Sequence, residues 1–361
     1  MMRFIQLLIF AVTFMILTGC SKDSGQIIGV KIYDYHGDYN TLITKWSQMG
    51  INTAFVSTAL AGNYTFRLAL KKNNIKVFII FPVFQNPEIL KQDSSLYAIT
   101  NEGTKARKEW VEFVCPSRVA YRNLMINELS GLIRTLDPDG ISIDFIRQFV
   151  YWEKIYPDRD FTSIDRACYC DSCLAGFTRQ KGISIPDTCR TTIDKAEWIE
   201  MNYLHEWDYY RCNLITSMVK ELSDEARRIK KGLIINVHAV PWRENDFGNA
   251  GIRIAGQDLQ KISPYADLIS PMCYSQMLDR DAAWISDVVS DMDKHVKGKV
   301  LPSIQVYPYY IDKTFTADDF KQCVKEALKS PSRGVVFFSW PLFEKDSIRM
   351  EVVSRLVYEK F

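Results

Sequence analysis

Short apolar runs rich in β-branched and aromatic residues recur along the chain at 27–33, 52–57, 76–81, 140–145, 233–239, 268–274, 300–307 and 334–340. Between most of them the apolar positions fall at helical spacing, as at 121–136 and 209–229. Strands alternating with helices predict a parallel sheet with right-handed connections. Eight such units in about 330 residues match an α/β fold of the (β/α)8 type, the TIM barrel, with insertions. A doubly wound open sheet usually has fewer strands and a glycine-rich first turn. No G-x-G-x-x-G and no P-loop occurs here, so no nucleotide cofactor is expected. The long break in the pattern, 160–196, follows the fourth run and carries a cysteine cluster. It predicts an enlarged βα loop after strand 4, an insertion spanning roughly 150–200, and not a second domain.

Catalytic groups of such barrels sit at the C-terminal ends of the strands. The fourth run reads Asp139-Gly140-Ile141-Ser142-Ile143-Asp144-Phe145-Ile146-Arg147. Strand side chains alternate, so Ile141, Ile143 and Phe145 face the helices while Ser142 and Asp144 face the barrel interior. Asp144 then stands at the strand end as a nucleophile, general base or charge stabiliser. The competing expectation is a buried structural ion pair with Lys31 or Arg147.

This run resembles the D-G-I-x-x-D-[FY]-[IV]-R signature of glycoside-hydrolase-like TIM-barrel proteins, the family-10-like glycosyl hydrolases of bacteria. Three further stretches resemble that family in the same order: Cys115-Pro116-Ser117, Gly256-Gln257-Asp258, and Asp267-Leu268-Ile269-Ser270-Pro271-Met272-Cys273-Tyr274, which matches D-x-[IV]-x-P-M-x-Y. The resemblance covers nearly the whole chain after residue 26 and implies a carbohydrate substrate. Chitinase-like barrels share part of the strand pattern but use D-x-x-D-x-D-x-E. Ser142 stands at their middle Asp and Ile146 at their Glu, so their mechanism does not transfer.

Glycoside hydrolysis normally needs two carboxyls, about 5–5.5 Å apart for retention and about 6.5–9.5 Å for inversion. Asp144 is the first candidate. Glu244 is favoured as the acid, because neighbouring Trp242 would shield it and raise its pKa. Asp246, Asp34, Asp279 and Asp281 compete, and a solvated loop carboxylate is the plain alternative for Glu244. Lys31 and Tyr33 on the first run, Asn236 and His238 on the fifth, and Ser303, Gln305 and Tyr307 on the seventh each share a strand face. With Arg147 they would meet sugar hydroxyls, while Trp242, Tyr274, Tyr307 and Trp340 offer apolar faces to pyranose rings. Rim packing for the aromatics and a satisfied structural role for His238 are the competing readings.

The first residues change the picture of location. Arg3, an apolar stretch over 4–17 and then Leu17-Thr18-Gly19-Cys20 describe a secretory leader. The last four residues resemble the lipobox of bacterial lipoproteins. That implies a signal peptide over 1–19, cleavage before Cys20, lipidation of its thiol and a tether over 20–26. Several acyl chains anchor firmly where one binds marginally. Ser21 after Cys20 fits an outer-membrane or cell-surface destination.

Composition then excludes several classes. The chain has 361 residues, 47% hydrophobic and 24% charged, which is too apolar for a disordered chain. Its 45 Lys plus Arg against 43 Asp plus Glu give a net charge of +2, far from the excess that binds nucleic acid. Near-neutrality fits a neutral sugar better than a polyanion. Cys168, Cys170, Cys173 and Cys189 form a loop cluster able to hold structural zinc or two disulfides. An oxidising exterior puts disulfides slightly ahead. Cys115, Cys212, Cys273 and Cys323 read as buried small hydrophobes. A catalytic metal is not expected, since no H-E-x-x-H occurs and His36, His205, His238 and His295 are scattered. The expected protein is a lipid-anchored glycosidase of the cell envelope. The alternatives are a carbohydrate-binding lipoprotein without catalysis and a purely structural envelope protein.

Overall fold

A computed structural model of the chain describes residues 25–358. The leader and Cys20 lie outside the described residues. All eight runs form parallel strands: β1 (Ile27–Ile32), β2 (Thr53–Ser57), β3 (Lys76–Pro82), β4 (Gly140–Asp144), β5 (Ile234–Ala239), β6 (Leu268–Pro271), β7 (Ser303–Gln305) and β8 (Gly334–Phe338). They lie in the order β6-β5-β4-β3-β2-β1-β8-β7. Parallel bridges Ile269–Val300 and Met272–Ser303 join the two ends, so the fold is a (β/α)8 barrel. β7 is shorter than its apolar run because Pro302 has no N–H to give to a ladder.

The helices α1 (Tyr39–Gln48), α2 (Tyr64–Lys72), α3 (Val119–Leu136), α4 (Asp171–Lys181), α5 (Thr192–Ile229), α6 (Ala283–Val296), α7 (Ala317–Ala327) and α8 (Ser347–Tyr358) cover the barrel and its insertion. The expected helix at 209–229 is the second part of α5. That helix starts at a capping box formed by Thr191 and Asp194 and breaks at Tyr203, where φ is −143°. α4 and the first part of α5 fill the expected enlarged loop. The connection after β5 holds only single turns at Ala250–Arg253 and Leu259–Ile262. A hairpin of Arg107–Lys108 with Val111–Glu112 follows β3, too short to leave a strand pattern in the sequence. No helix of the described residues is long and apolar enough to cross a membrane.

Strand register sorts the interior into layers. Phe55, Phe78, Ile80, Leu268, Leu301 and Val336 form an apolar cluster separate from the main core, and it plugs the N-terminal half of the barrel. Lys31 pairs in register with Phe55 and therefore points inward above that plug. Ser142 and Asp144 share this inward face of β4, as Ser142 pairs with Ile80. Ile141 and Ile143 face the helices in the main core. Phe145 departs from the expected alternation: β4 ends at Asp144, and Phe145 turns into the left-handed region with φ +48°.

The glycine of the Asp139-Gly140 pair has a steric cause. A Cβ on Gly140 would stand 2.8 Å from the Phe78 ring. Asp139 fixes the same corner by accepting the Val77 N–H at 2.8 Å. Gly140→Ala is expected to cost about 1–3 kcal/mol through overpacking. Urea unfolding measures it, and adding Phe78→Leu should recover part of the loss. Equal costs with and without the Phe78 change would contradict this packing.

Candidate active site

Above the apolar plug the barrel interior becomes polar. Asn236 Nδ2 donates to Ser142 Oγ at 2.9 Å, and Ser142 Oγ meets His238 Nε2 at 2.8 Å. His238 Nδ1 lies 3.5 Å from Lys31 Nζ, which also donates to Tyr274 Oη at 3.3 Å. Tyr274 Oη lies 3.4 Å from Ser303 Oγ. The chain of contacts thus runs across β5, β4, β1 and β7. An ammonium facing Nδ1 assigns the acceptor role there and leaves the His238 proton on Nε2. Burial, then the Lys31 charge, push the His238 pKa down to about 3 against the pull of Asp144. His238 is therefore neutral at pH 7. Burial lowers Lys31 to about 8, with Asp144 opposing.

Asp144 ends β4 with 8% of its surface exposed. Its Oδ1 accepts the Phe145 N–H at 2.7 Å, and it forms no ion pair among the described residues. The structural ion pair with Lys31 or Arg147 is thus not what holds it. Burial works to raise its pKa, yet the net shift is downward through His238, Lys31, the Phe145 amide and Arg147. With His238 neutral, Lys31, the amide and Arg147 keep the carboxylate ionised at pH 7.

The turn after Asp144 is clamped by the segment that carries Gly256-Gln257-Asp258. Gln257 Nε2 donates to the carbonyls of Ile146 (3.1 Å) and His238 (2.9 Å), and its Oε1 accepts the Val240 N–H at 3.0 Å. Gln148 N donates to Ala255 O at 2.8 Å. Gly256 sits at φ +65°, and a Cβ there would meet Gln148 Cγ at 2.8 Å. Asp258 caps the next turn by accepting the Lys261 N–H. One segment therefore fixes the ends of β4 and β5 together.

The second carboxyl at this cluster is Glu153, which sequence reasoning missed. It lies in the single turn Trp152–Lys154 of the insertion, 6% exposed. Burial raises its pKa to about 7, Arg147 opposes, and Asp144 and Glu109 add to the rise. Insertions have no strand parity to read, so only the adjacent Trp152 signalled a shielded acid. Glu109 at the hairpin tip anchors this turn, accepting from Tyr151 Oη (2.7 Å) and Lys154 Nζ (2.6 Å). Exposed Trp110 beside it donates from Nε1 to Tyr310 Oη at 3.0 Å, so the hairpin meets the loop after β7 across the mouth.

The other expected site residues divide. Tyr274 stacks on Phe338 with centroids 5.1 Å apart. Tyr33 meets the same ring edge-on at 6.3 Å. Desolvation of the Tyr33 hydroxyl, with Asp144 and Tyr309 near, holds its pKa up. Arg147 lies on the Phe113 and Phe145 rings. Gln305 faces the interior, but its amide is used internally, by Met277 N, Gln276 Oε1 and Tyr307 O. Tyr307 lies against Arg349, which bonds Phe315 O, and not among the Asp144 groups. Trp340 is buried in the core against Trp46 and Phe343, so it offers no sugar platform.

Glu244 is not brought to Asp144. Its side chain is 56% exposed and faces His295 at 3.8 Å, while its N–H bonds Asp291. The loop after β5 turns outward over α6, and Trp242 packs on Phe247 beside an outer cavity of about 210 Å³. Asp246 is spent on Arg243, Asp279 on Lys313, and Asp281 caps α6 through the Trp284 N–H. Asp34 is exposed beyond the end of β1.

The cysteine cluster differs in one member. Cys115, Cys168, Cys170 and Cys173 place their sulfurs within 4.8 Å of one another, all buried. Cys189 is half-buried elsewhere, and Cys115 is a cluster member instead of a small core residue. No pair is disulfide-bonded: Cys115 Sγ lies 3.4 Å from both Cys170 and Cys173. A tetrahedron with Zn–S of about 2.3 Å needs S···S near 3.8 Å, so the four sulfurs fit a structural metal. Ser117 bridges Cys115 to Ser172, which accounts for the Cys115-Pro116-Ser117 stretch.

No protein-family model and no curated protein matches this sequence. The fold is shared with solved glycoside hydrolases. The glycoside hydrolase domain of PgaB (BpsB) from Bordetella bronchiseptica superposes with TM-score 0.70 at 9% identity, over 92% of this chain and 99% of that one. A β-galactosidase from Marinomonas ef1 gives 0.65 at 11% identity, over 92% and 59%. A chitinase from Chromobacterium violaceum gives 0.51 at 12%, over 92% and 98%. At these identities the likeness establishes the barrel fold.

The cysteine geometry makes a direct prediction. Purified under reducing conditions with zinc, the protein should carry about one zinc per chain by elemental analysis. Cys115→Ser should lose it and Cys189→Ser should keep it. The opposite pattern would restore the cluster expected from spacing.

Proposed function

We propose that the protein is a glycosidase, with ionised Asp144 as nucleophile or base and Glu153 as general acid. The observation that carries this is a pair of neighbouring buried carboxyls, one ending β4 and one in the insertion that follows it, whose environments push their pKa values apart. One stays charged beside Lys31 and Arg147, and the other keeps its proton near neutrality. That division assigns acid and base roles in carboxylate hydrolases. The barrel it shares with glycoside hydrolases supports the substrate class, and exposed Tyr33 supplies an aromatic ring near Asp144. The Leu17–Cys20 pattern supports an envelope location through lipid on Cys20.

Asp144→Asn and Glu153→Gln should each lower turnover about 10²–10⁴-fold on any glycan that the parent cleaves in a broad panel. Unchanged turnover in Asp144→Asn removes it from the mechanism. Glycan affinity without turnover in the parent would mark a binding protein instead.

The pH dependence follows from the same pair. Activity needs Asp144 ionised and Glu153 protonated, so kcat/KM should be level from neutrality down to the depressed Asp144 pKa, fall below it, and fall above about pH 7. A profile without that upper limb would exclude Glu153 as the acid. Stability moves in step. The Glu153 pKa is raised in the folded state, so its contribution is complete below about 4.5 and lost as pH rises through about 7. Glu153→Gln should therefore be more stable than the parent at pH 8, by at most about 3 kcal/mol, with the gain vanishing near pH 4. Denaturant midpoints at the two pH values measure it.

A further inference from the structure

Two cations lie near Asp144 with no anionic partner in contact, Lys31 being held by His238 and Tyr274 alone. Lys31 is 1% exposed and Arg147 is 2% exposed, and neither forms an ion pair among the described residues. Nε and Nη1 of Arg147 are sealed from solvent with no hydrogen-bond acceptor. The rings of Phe113 at 4.8 Å and Phe145 at 5.2 Å lie against the guanidinium, and Glu153, whose Oε2 is likewise buried without a partner, is the charge that acts on it most strongly. Ring faces replace a small part of the hydration that a buried guanidinium loses. Unsatisfied donors of this kind are rare in native interiors and mark a missing acceptor.

The charges facing this point can be counted. His238 is neutral at pH 7, and Glu109 is engaged by Lys154. Tyr33 and Tyr274 are neutral. When Glu153 carries the proton that a general acid must hold, Asp144 is the single anion facing Lys31 and Arg147. One positive charge is left over in a low-dielectric site.

We infer that the substrate brings the missing anion: the sugar bound beside Asp144 carries one acidic substituent, a carboxylate or a sulfate, received by the Arg147 guanidinium. Arg147 then acts as a specificity-determining residue. This rests on the glycosidase reading and names its substrate class. The planar fork of an arginine suits both groups, since each offers two oxygens in line with its N–H bonds. The near-neutral net charge of the chain does not contradict it, because that sum is blind to three fixed charges in one pocket. Trp110 packs edge-on against Phe145, which lies on Arg147, and Trp110 is tied to Tyr310, so the hairpin stands over this side of the guanidinium.

Saturation-transfer NMR and thermal shift on the purified protein would compare glucuronic acid, galacturonic acid and galactose 6-sulfate with glucose, galactose and N-acetylglucosamine. The acidic sugars should bind at least about tenfold more tightly than the neutral ones, as a charge-assisted pair predicts. Their affinity should fall with added salt. The uronates against the sulfated sugar tell which acid is used. Arg147→Met should erase the advantage, and Arg147→Lys should keep part of it. Should Arg147→Met fail to fold, the salt titration of the parent decides the question by itself. Neutral sugars binding as well as acidic ones, or an acidic preference that survives Arg147→Met, overturns the inference and leaves the glycosidase reading standing. No binding by any of the six, with no glycan cleaved in the panel, overturns both.

Discussion

A carboxylate held ionised while nearly out of water is the constraint on which the rest of this barrel depends. Asp144 loses hydration at the end of β4, and that loss alone would protonate it. The protein answers with distributed compensation instead of one tight ion pair. The Phe145 amide supplies a fixed hydrogen bond, and Lys31 and Arg147 supply charge without direct contact. A tight pair would have spent the carboxylate on its partner. Keeping the cations at a distance leaves one oxygen free for chemistry, at the cost of two buried cations that need holding in turn. His238, kept neutral, and Tyr274 hold Lys31, and Phe113 and Phe145 hold Arg147.

Such a balance tolerates little movement, which explains how much of the sequence signature is backbone geometry. Gly140 clears space for Phe78, so the apolar plug can close directly beneath the charges. Asp139 and Asp267 sit at the N-terminal ends of their strands and accept the Val77 and Ile235 amides. They set strand register and not chemistry. Gln257 joins the Ile146 and His238 carbonyls, so the segment after Asp144 and the end of β5 are tied by one side chain. In this motif most letters serve backbone geometry, and they keep Asp144 in place.

The barrel was legible because its signal is periodic: alternating faces and repeated strand–helix units survive in any single sequence. Asp144, Lys31 and His238 were legible for the same reason, since strand parity aims them inward. Glu244 and Trp340 misled because proximity to a strand end does not decide whether a loop turns over the mouth or away from it. The loop after β5 turns outward, and Trp340 starts a turn that packs into the core. Glu153 and the fourth cysteine were illegible for a different reason. Both depend on contacts between an insertion and segments far away in the chain, Glu109 for the turn that carries the acid and Cys115 for the sulfur cluster. No local pattern encodes such meetings.

The insertion is therefore built into the frame around Asp144 and is not an appendage to the barrel. Arg211 of α5 is wholly buried, donating to the carbonyls of Ala167, Arg253 and Ile254 and pairing with Asp208. Ala167 precedes the first cysteine of the loop cluster, and Ile254 precedes the segment that clamps the Asp144 turn. Gln148, within that turn, donates to the Arg211 carbonyl. One side chain and its own backbone thus join the sulfur cluster, the clamp and the carboxylate turn. A metal on the four sulfurs would fix Ala167 through Cys168, and Arg211 would carry that rigidity to the site. Glu153 on its loop and Asp144 on its strand are thus joined through one frame, which the proposed acid and base roles require if the two carboxyls are to act on the same bond.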